Sequence, residues 1–150
     1  MSLLIRPALA DDVPALMSLE KHAATAAHWP PEKYEQLFNA AAPQRLALVI
    51  EEDAGLRGFL VARRVDREWE IENIAIAGPA RRRGLGSRLL GEFIDLLRKQ
   101  GATSVFLEVR ESNRAAQALY QKWGFEAAGR RSRYYENPAE DAVLYRLAFP

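Results

Sequence analysis

The sequence predicts one α/β domain with a mixed sheet, its elements ordered β-α-α-β-β-β-α-β-α-β-β. Three observations carry this. Three apolar runs in the first half are separated by only two or three turn residues, the spacing of consecutive antiparallel strands. Two stretches with apolar residues at helical spacing, one opening near Leu85 and one after Asn113, each follow a strand-like run. The 150 residues, 49% of them apolar, suffice for one well-buried core and are few for two, so residues 1–150 are expected to form a single domain.

The elements follow in order. Leu3 to Arg6 reads as a short strand stopped by Pro7. Asp11 is placed to cap a helix from Asp12 through Lys21, with Pro14 tolerated in its first turn. Trp29-Pro30-Pro31 breaks the chain, and Glu32 to Asn39 suggests a second short helix. Arg45–Glu51, Leu56–Val65 and Trp69–Ile76 are the three apolar runs, turning at Asp53-Ala54-Gly55 and Asp66-Arg67. The next helix continues to about Gln100, and Gly101 ends it. Ser104–Val109 is a strand, and Ser112-Asn113 caps a helix that Gly124 closes. Phe125–Tyr135 and Ala142–Phe149 supply two final strands around a turn at Asn137-Pro138.

Composition excludes several functions. A net charge of +1 argues against a dedicated nucleic-acid binder. No window reaches the roughly 18 apolar residues of a membrane span. The segment Met1 to Pro7 lacks the layout of a secretory leader, so a cytoplasmic protein is expected. There is no cysteine, which rules out disulfides, thiolate metal sites and a cysteine acyl-enzyme. His22 and His28 have no metal-ligand spacing, and no metal is expected. Any group transfer is then most simply direct, between two bound substrates.

The chain is organised around Arg81-Arg82-Arg83-Gly84-Leu85-Gly86-Ser87-Arg88. A glycine-bearing turn from strand to helix leaves several backbone N–H groups unpaired and pointing one way, at the positive end of the helix dipole. That is a seat for phosphate or diphosphate. A nucleotide-binding P-loop needs Lys and then Ser or Thr after its last glycine, whereas Ser87 and Arg88 follow Gly86. A dinucleotide fingerprint needs glycine where Leu89 stands, although Glu108 lies about where a ribose-binding acid would. Taken alone, a Gly-x-Gly turn with a solvated arginine cluster is an ordinary structural feature.

Other motifs narrow the choice. Arg82-Arg83-Gly84-Leu85-Gly86-Ser87, together with Asn73-Ile74-Ala75-Ile76, Leu107-Glu108-Val109-Arg110, Ser112-Asn113, Ala118-Leu119-Tyr120 and Gly124-Phe125, resembles the GNAT family of N-acetyltransferases. The resemblance is dense in the C-terminal half and rests on layout in the N-terminal third. It implies the GNAT fold, with a mixed, mostly antiparallel central sheet of about seven strands and flanking helices. It also implies acetyl-CoA as co-substrate, with Arg82, Arg83, Gly84, Leu85, Gly86 and Ser87 holding the diphosphate and backbone groups of Ile74, Ala75 and Ile76 holding the pantetheine arm. Asn113 falls on a further cofactor contact, Glu108 on the general base and Tyr120 on the acid that protonates the leaving thiolate. The tail from Tyr134-Tyr135 to Glu140-Asp141-Ala142 is similar to members acting on protein N-termini, ribosomal proteins beginning with alanine included. Trp29, Tyr134 and Tyr135 fall where such members bring loops against the peptide.

Each of these residues has a plainer reading. Tyr120, beside Leu119 and Trp123, reads as core without the resemblance, and Glu108 reads equally as an edge or paired carboxylate. Glu70 and Glu72 compete for the base role or mark a solvated face. Arg130, Arg131 and Arg133 read as surface or as a site for phosphate or an acidic peptide, and Trp29 beside two prolines reads as a residue that pins its loop. A small-molecule amine as acceptor, a non-catalytic CoA-binding or interaction module, and a nucleotide-binding oxidoreductase are the competing functions.

Overall fold

The structure, a computed structural model, describes residues 3–21, 29–38, 44–78, 83–136 and 139–150. His22, His28, Arg81, Arg82, the expected helix end at Asn39 and the turn at Asn137-Pro138 lie outside the described residues. Seven strands form one sheet in the order β1-β2-β3-β4-β5-β7-β6. They are β1 (Leu3–Pro7), β2 (Arg45–Glu52), β3 (Gly55–Val65), β4 (Glu68–Ile76), β5 (Ser104–Arg110), β6 (Glu126–Tyr135) and β7 (Glu140–Ala148). Every neighbouring pair is antiparallel except β4 and β5, which run parallel because helix α3 (Leu85–Lys99) crosses between them. Helices α1 (Val13–Lys21), α2 (Pro31–Glu35) and α4 (Arg114–Lys122) complete the order. The expected fold class is the observed one. No helix among the described residues is long and apolar enough to cross a membrane.

The sheet is covered on both faces. Leu85, Leu89, Leu90, Phe93, Ile94 and Leu97 stand at i, i+3 and i+4 spacings along α3 and bury one stripe of it. They join Tyr120 of α4 and Val105, Leu107 and Val109 of β5 in the larger core. On the other face Leu16 of α1 and Tyr34 of α2 pack on Val49, Phe59, Val61 and Ala75. The first helix begins at Val13, after a single 3-10 turn at Ala10–Asp12. Asp12, rather than the expected Asp11, organises this corner. Its carboxylate accepts from the Leu9 amide at 2.6 Å and from both Arg6 Nη atoms at 2.8 and 3.0 Å. Asp12 is therefore held well below the usual carboxylate range.

β4 carries a one-residue bulge. Val61 pairs with Asn73 and Ala62 with Ile71, so Glu72 is the extra residue. A one-residue slip sends every later side chain to the opposite face. Trp69 and Ile71 accordingly face the α3 core, while Asn73 and Ala75 are buried towards α1 and α2. Glu72 is not on a solvated face. It is 9% exposed and pairs with Arg45 Nε at 2.8 Å and Lys33 at 3.6 Å. Glu70 pairs with Arg63 at 2.7 Å.

Past the bulge, Asn73 enters a buried polar cluster. Its Nδ2 donates to Glu20 Oε1 at 3.2 Å and to the Tyr34 hydroxyl at 3.1 Å, and the Trp29 amide also donates to Glu20 Oε1. Glu20, Asn73 and Tyr34 are all buried. Burial and the bond to Glu20 push the Tyr34 phenol far up, so it stays a neutral donor. This cluster ties α1, Trp29 and α2 to the middle of β4.

Two stability predictions follow from β4. An Ala at position 58 would put Cβ 2.5 Å from Ile76 Cδ1 and 2.8 Å from the Ala75 carbonyl oxygen. Gly58→Ala should therefore lose about 1–3 kcal/mol by overpacking, measured as a shift in urea midpoint. Asn73→Leu leaves Glu20 and Tyr34 short of a buried donor and should lose about 1–3 kcal/mol in the same experiment.

Candidate active site

β4 and β5 pair only at Glu68–Ser104, Trp69–Val105 and Glu70–Phe106. Beyond these the two strands part, each still held by its outer neighbour, β3 or β7. The hydrogen-bonding phase of β4 shows which groups face the opening. The Ala77 amide donates to the Arg57 carbonyl at 2.7 Å. In an antiparallel ladder the bonded residues alternate, so Ala75 and Asn73 also turn their backbone groups to β3. Ile74 and Ile76 turn theirs towards the opening. Of the three residues expected to hold a pantetheine arm, Ile74 and Ile76 thus direct their backbone to the β5 side of β4, whereas the amide and carbonyl of Ala75 are directed to the β3 ladder.

At the mouth of the opening stands the start of α3. Gly84 is its N-cap at φ +77°, a left-handed value suited to glycine, and no side chain caps the helix. The first intrahelical bond runs from the Arg88 amide to the Gly84 carbonyl at 3.0 Å. The amides of Leu85, Gly86 and Ser87 therefore point out of the helix end, and no acidic residue lies in the first turn to compete for them. These donors fit a diphosphate. A depression of about 570 Å³ runs from Arg83 and Gly84 along Ser87, Arg88 and Gly91 to Lys122 and Trp123. The Trp123 indole lies against Gly91, and its Nε1 donates to Ser87 Oγ at 3.0 Å. The Ser87 side chain thus braces α3 against α4, and its backbone is the part directed at a ligand. Arg83 is engaged by Glu52, with Nη1 donating at 2.9 Å and Nη2 also in contact, so its charge is already partly matched. Asn113 caps α4, Oδ1 accepting from the Ala116 amide at 3.1 Å, which leaves Nδ2 as its donor for a ligand.

Glu108 and Tyr120 approach from opposite faces of the sheet. Val105, Leu107 and Val109 point into the α3 core, so Glu108 points to the α1 side, as Glu70 does. Its side chain is 12% exposed, and Arg131 Nε lies 2.9 Å from Oε1. Burial raises the Glu108 carboxyl above its ordinary range; Arg131 opposes this and Glu70 adds to it. Tyr120 is buried on α4, with ring centres 5.5 Å from Phe125 and 6.4 Å from Tyr145. Burial, and then Tyr135, raise its phenol far above the ordinary value. Tyr135 is pushed up to about 12 by burial and by the Glu108 carboxylate. Tyr135 therefore lies within electrostatic reach of both Glu108 and Tyr120. A carboxylate and a phenol on opposite faces can serve one reacting atom only where the sheet is open between them.

The aromatic residues are firmly mounted. Tyr134 and Tyr135 meet edge to face at 5.1 Å, and the Arg110 guanidinium lies 4.4 Å from the Tyr135 ring centre. Arg110 in turn pairs with Glu140, which accepts from the amide and hydroxyl of Ser112 beside the α4 cap. Trp29 packs on Tyr34 at 5.2 Å with Lys33 4.2 Å over its ring, on the α1 side that Glu108 faces. The sequence reading missed the Arg131–Glu108 pair and the β4 bulge. The bulge did leave a signal, because the apolar alternation Trp69, Ile71 resumes at Ile74, Ile76, one residue out of phase.

Comparison with known proteins agrees with this geometry. Residues 13–125 match the model of the acetyltransferase (GNAT) family. Ribosomal protein bS18-alanine N-acetyltransferase from Salmonella typhimurium is 36% identical over 138 residues, 91% of this chain and 90% of that protein. The crystal structure of the ribosomal-protein-S18-alanine N-acetyltransferase from Escherichia coli superposes with a TM-score of 0.89 at 32% identity, over 98% of this chain and 94% of that one. Ard1 from Thermoplasma volcanium, at 24% identity and a TM-score of 0.86, shares the fold. With an opened β4–β5 pair, an uncapped α3 and this similarity along its length, the chain belongs to the GNAT acetyltransferase family.

Proposed function

We propose that residues 1–150 work as one N-acetyltransferase domain that moves the acetyl group of acetyl-CoA directly to the N-terminal α-amine of a protein, with a ribosomal protein beginning with alanine as the acceptor. The observation that carries this reading is the parting of β4 and β5 between Glu108 and Tyr120. The acceptor class is supported by the relatives named above and by the mounted Tyr134–Tyr135 pair and Trp29, which are offered as its walls.

The diphosphate is assigned to the amides of Leu85, Gly86 and Ser87, with Arg82 and Arg83 nearby in sequence, and the pantetheine arm to the backbone of Ile74 and Ile76. The amine nitrogen attacks the thioester carbonyl, the N–C bond forms, and the C–S bond breaks. Glu108 takes the amine proton, directly or through water, and Tyr120 returns a proton to the sulfur. An outward amide such as Ile74 N–H is suited to the oxyanion, a contact worth about 2.7–4 kcal/mol.

Magnitudes favour an α-amine. At a pKa of about 7.8, roughly a tenth is neutral at pH 7, against well under one part in a thousand for a lysine at about 10.4. Full proton transfer from that amine to an ordinary glutamate at about 4.3 is ~5 kcal/mol uphill, and the raised Glu108 narrows the gap. Tyr120 runs the other way. An ordinary phenol would give its proton to a thiolate at a deficit of about 2 kcal/mol, and burial of Tyr120 widens this. Exclusion of water from the sulfur on binding would raise the departing thiol too, in the direction that reduces this deficit.

Glu108→Gln and Tyr120→Phe should each lower kcat about 100-fold or more while acetyl-CoA binding, followed by calorimetry, stays near that of the native protein. Normal turnover in both variants would reject the two roles. An Ala-starting peptide compared with polyamines and amine antibiotics should show saturable turnover for the peptide. Turnover of the small amines alone overturns the acceptor class. Acetyl-CoA binding without transfer to any member of an N-terminal peptide library would mark a non-catalytic module. Mass spectrometry of protein N-termini from cells with and without this chain identifies the acceptor.

A further inference from the structure

β6 does not run straight past Glu108. Arg131 pairs with Ala142 and the next pair is Tyr135 with Glu140, so β6 advances four residues while β7 advances two. The surplus is absorbed in a bulge where Arg133 takes φ +50°, an unusual value away from glycine. Asp141 stabilises that conformation. Its Oδ1 accepts from the Arg133 amide at 2.9 Å, and its Oδ2 accepts from Arg130 Nη1 at 3.2 Å. Arg130 also pairs with Glu111 at 2.7 Å, so it is drawn away from Glu108. Arg131 is left to reach it, with its guanidinium carbon 5.2 Å from the Tyr134 ring centre.

The pair is asymmetric. Glu108 is nearly enclosed, whereas the Arg131 side chain is 62% exposed and rests beside a tyrosine that is itself half exposed. The surroundings of Glu108 are otherwise hostile to a carboxylate. Glu70 faces it from β4, Tyr135 lies near it from β6, and its partner on β7 is the apolar Leu144. Of these groups only Arg131 is cationic. An exposed arginine can be displaced by an arriving ammonium group at little expense, which suits a temporary partner better than a permanent one.

We propose that Arg131 is a positioning residue for Glu108: a counter-cation, held out by the β6 bulge and the Tyr134 ring, that keeps the carboxylate ionised and oriented until the acceptor amine takes its place. The inference rests on Glu108 as the base and adds the residue that governs its readiness. Without the cation, burial and Glu70 act unopposed, the Glu108 pKa rises, and a base that must be deprotonated loses activity at higher pH than before.

The test is a pH titration of carboxyl-¹³C-glutamate NMR signals, with Glu108 identified by the resonance that Glu108→Gln removes, alongside the pH profile of kcat/KM. Arg131→Met should move the Glu108 midpoint up by about one unit, with the acid limb of kcat/KM moving the same way. Arg131→Lys should recover most of that shift by restoring the charge. Tyr134→Leu, which keeps the charge and removes its support, should give a smaller rise. A midpoint unmoved in Arg131→Met overturns the proposal, including the case where activity falls, since Arg131 would then act on acceptor binding alone. A moved midpoint in a chain that transfers no acetyl group would uphold the Arg131–Glu108 link and reject the transferase reading.

Discussion

The whole arrangement depends on two parallel strands that begin together and then separate. Parallel neighbours need a crossover, and here α3 supplies it, so the sheet opening and the helix end with its outward amides are products of one connection. β4 stays anchored to β3 and β5 to β7, so opening the middle of the sheet leaves the outer ladders intact.

The opening also lies between two titratable groups in different surroundings. Tyr120 belongs to the core beneath α3 and α4, where its low-polarity setting favours the protonated phenol. Glu108 lies on the other face, among Glu70, Tyr135 and Arg131, where burial and charge act against one another. The sheet keeps the two groups on separate faces, and the parting of β4 and β5 leaves it open between them. Direct transfer between two bound substrates requires no enzyme-bound acetyl group. A chain without cysteine is suited to that route.

Much of this was legible in the residues. Strand and helix positions follow from apolar periodicity, and Gly84 marks the helix start because the N-cap there takes a left-handed φ that suits glycine. What stayed hidden depends on partners far apart in the chain. Nothing near Glu108 announces Arg131, which arrives from another strand by way of a bulge, and nothing near Arg83 announces Glu52 on β2. Asp11 and Asp12 are equivalent cap candidates by type, and only the reach of Arg6 from β1 decides between them. That β4 and β5 part after three pairs is a property of the assembled sheet and has no residue signature.

The extra residue at Glu72 gives β4 two reading frames. Before it, odd-numbered side chains serve the α3 core; after it, they serve the polar cluster beneath α1 and α2. One strand thereby serves two cores, with the change of face confined to a single insertion. Substitutions of odd-numbered residues before position 72 are thus judged by the packing of α3, and those after it by the cluster with Glu20 and Tyr34 and the core beneath α1 and α2.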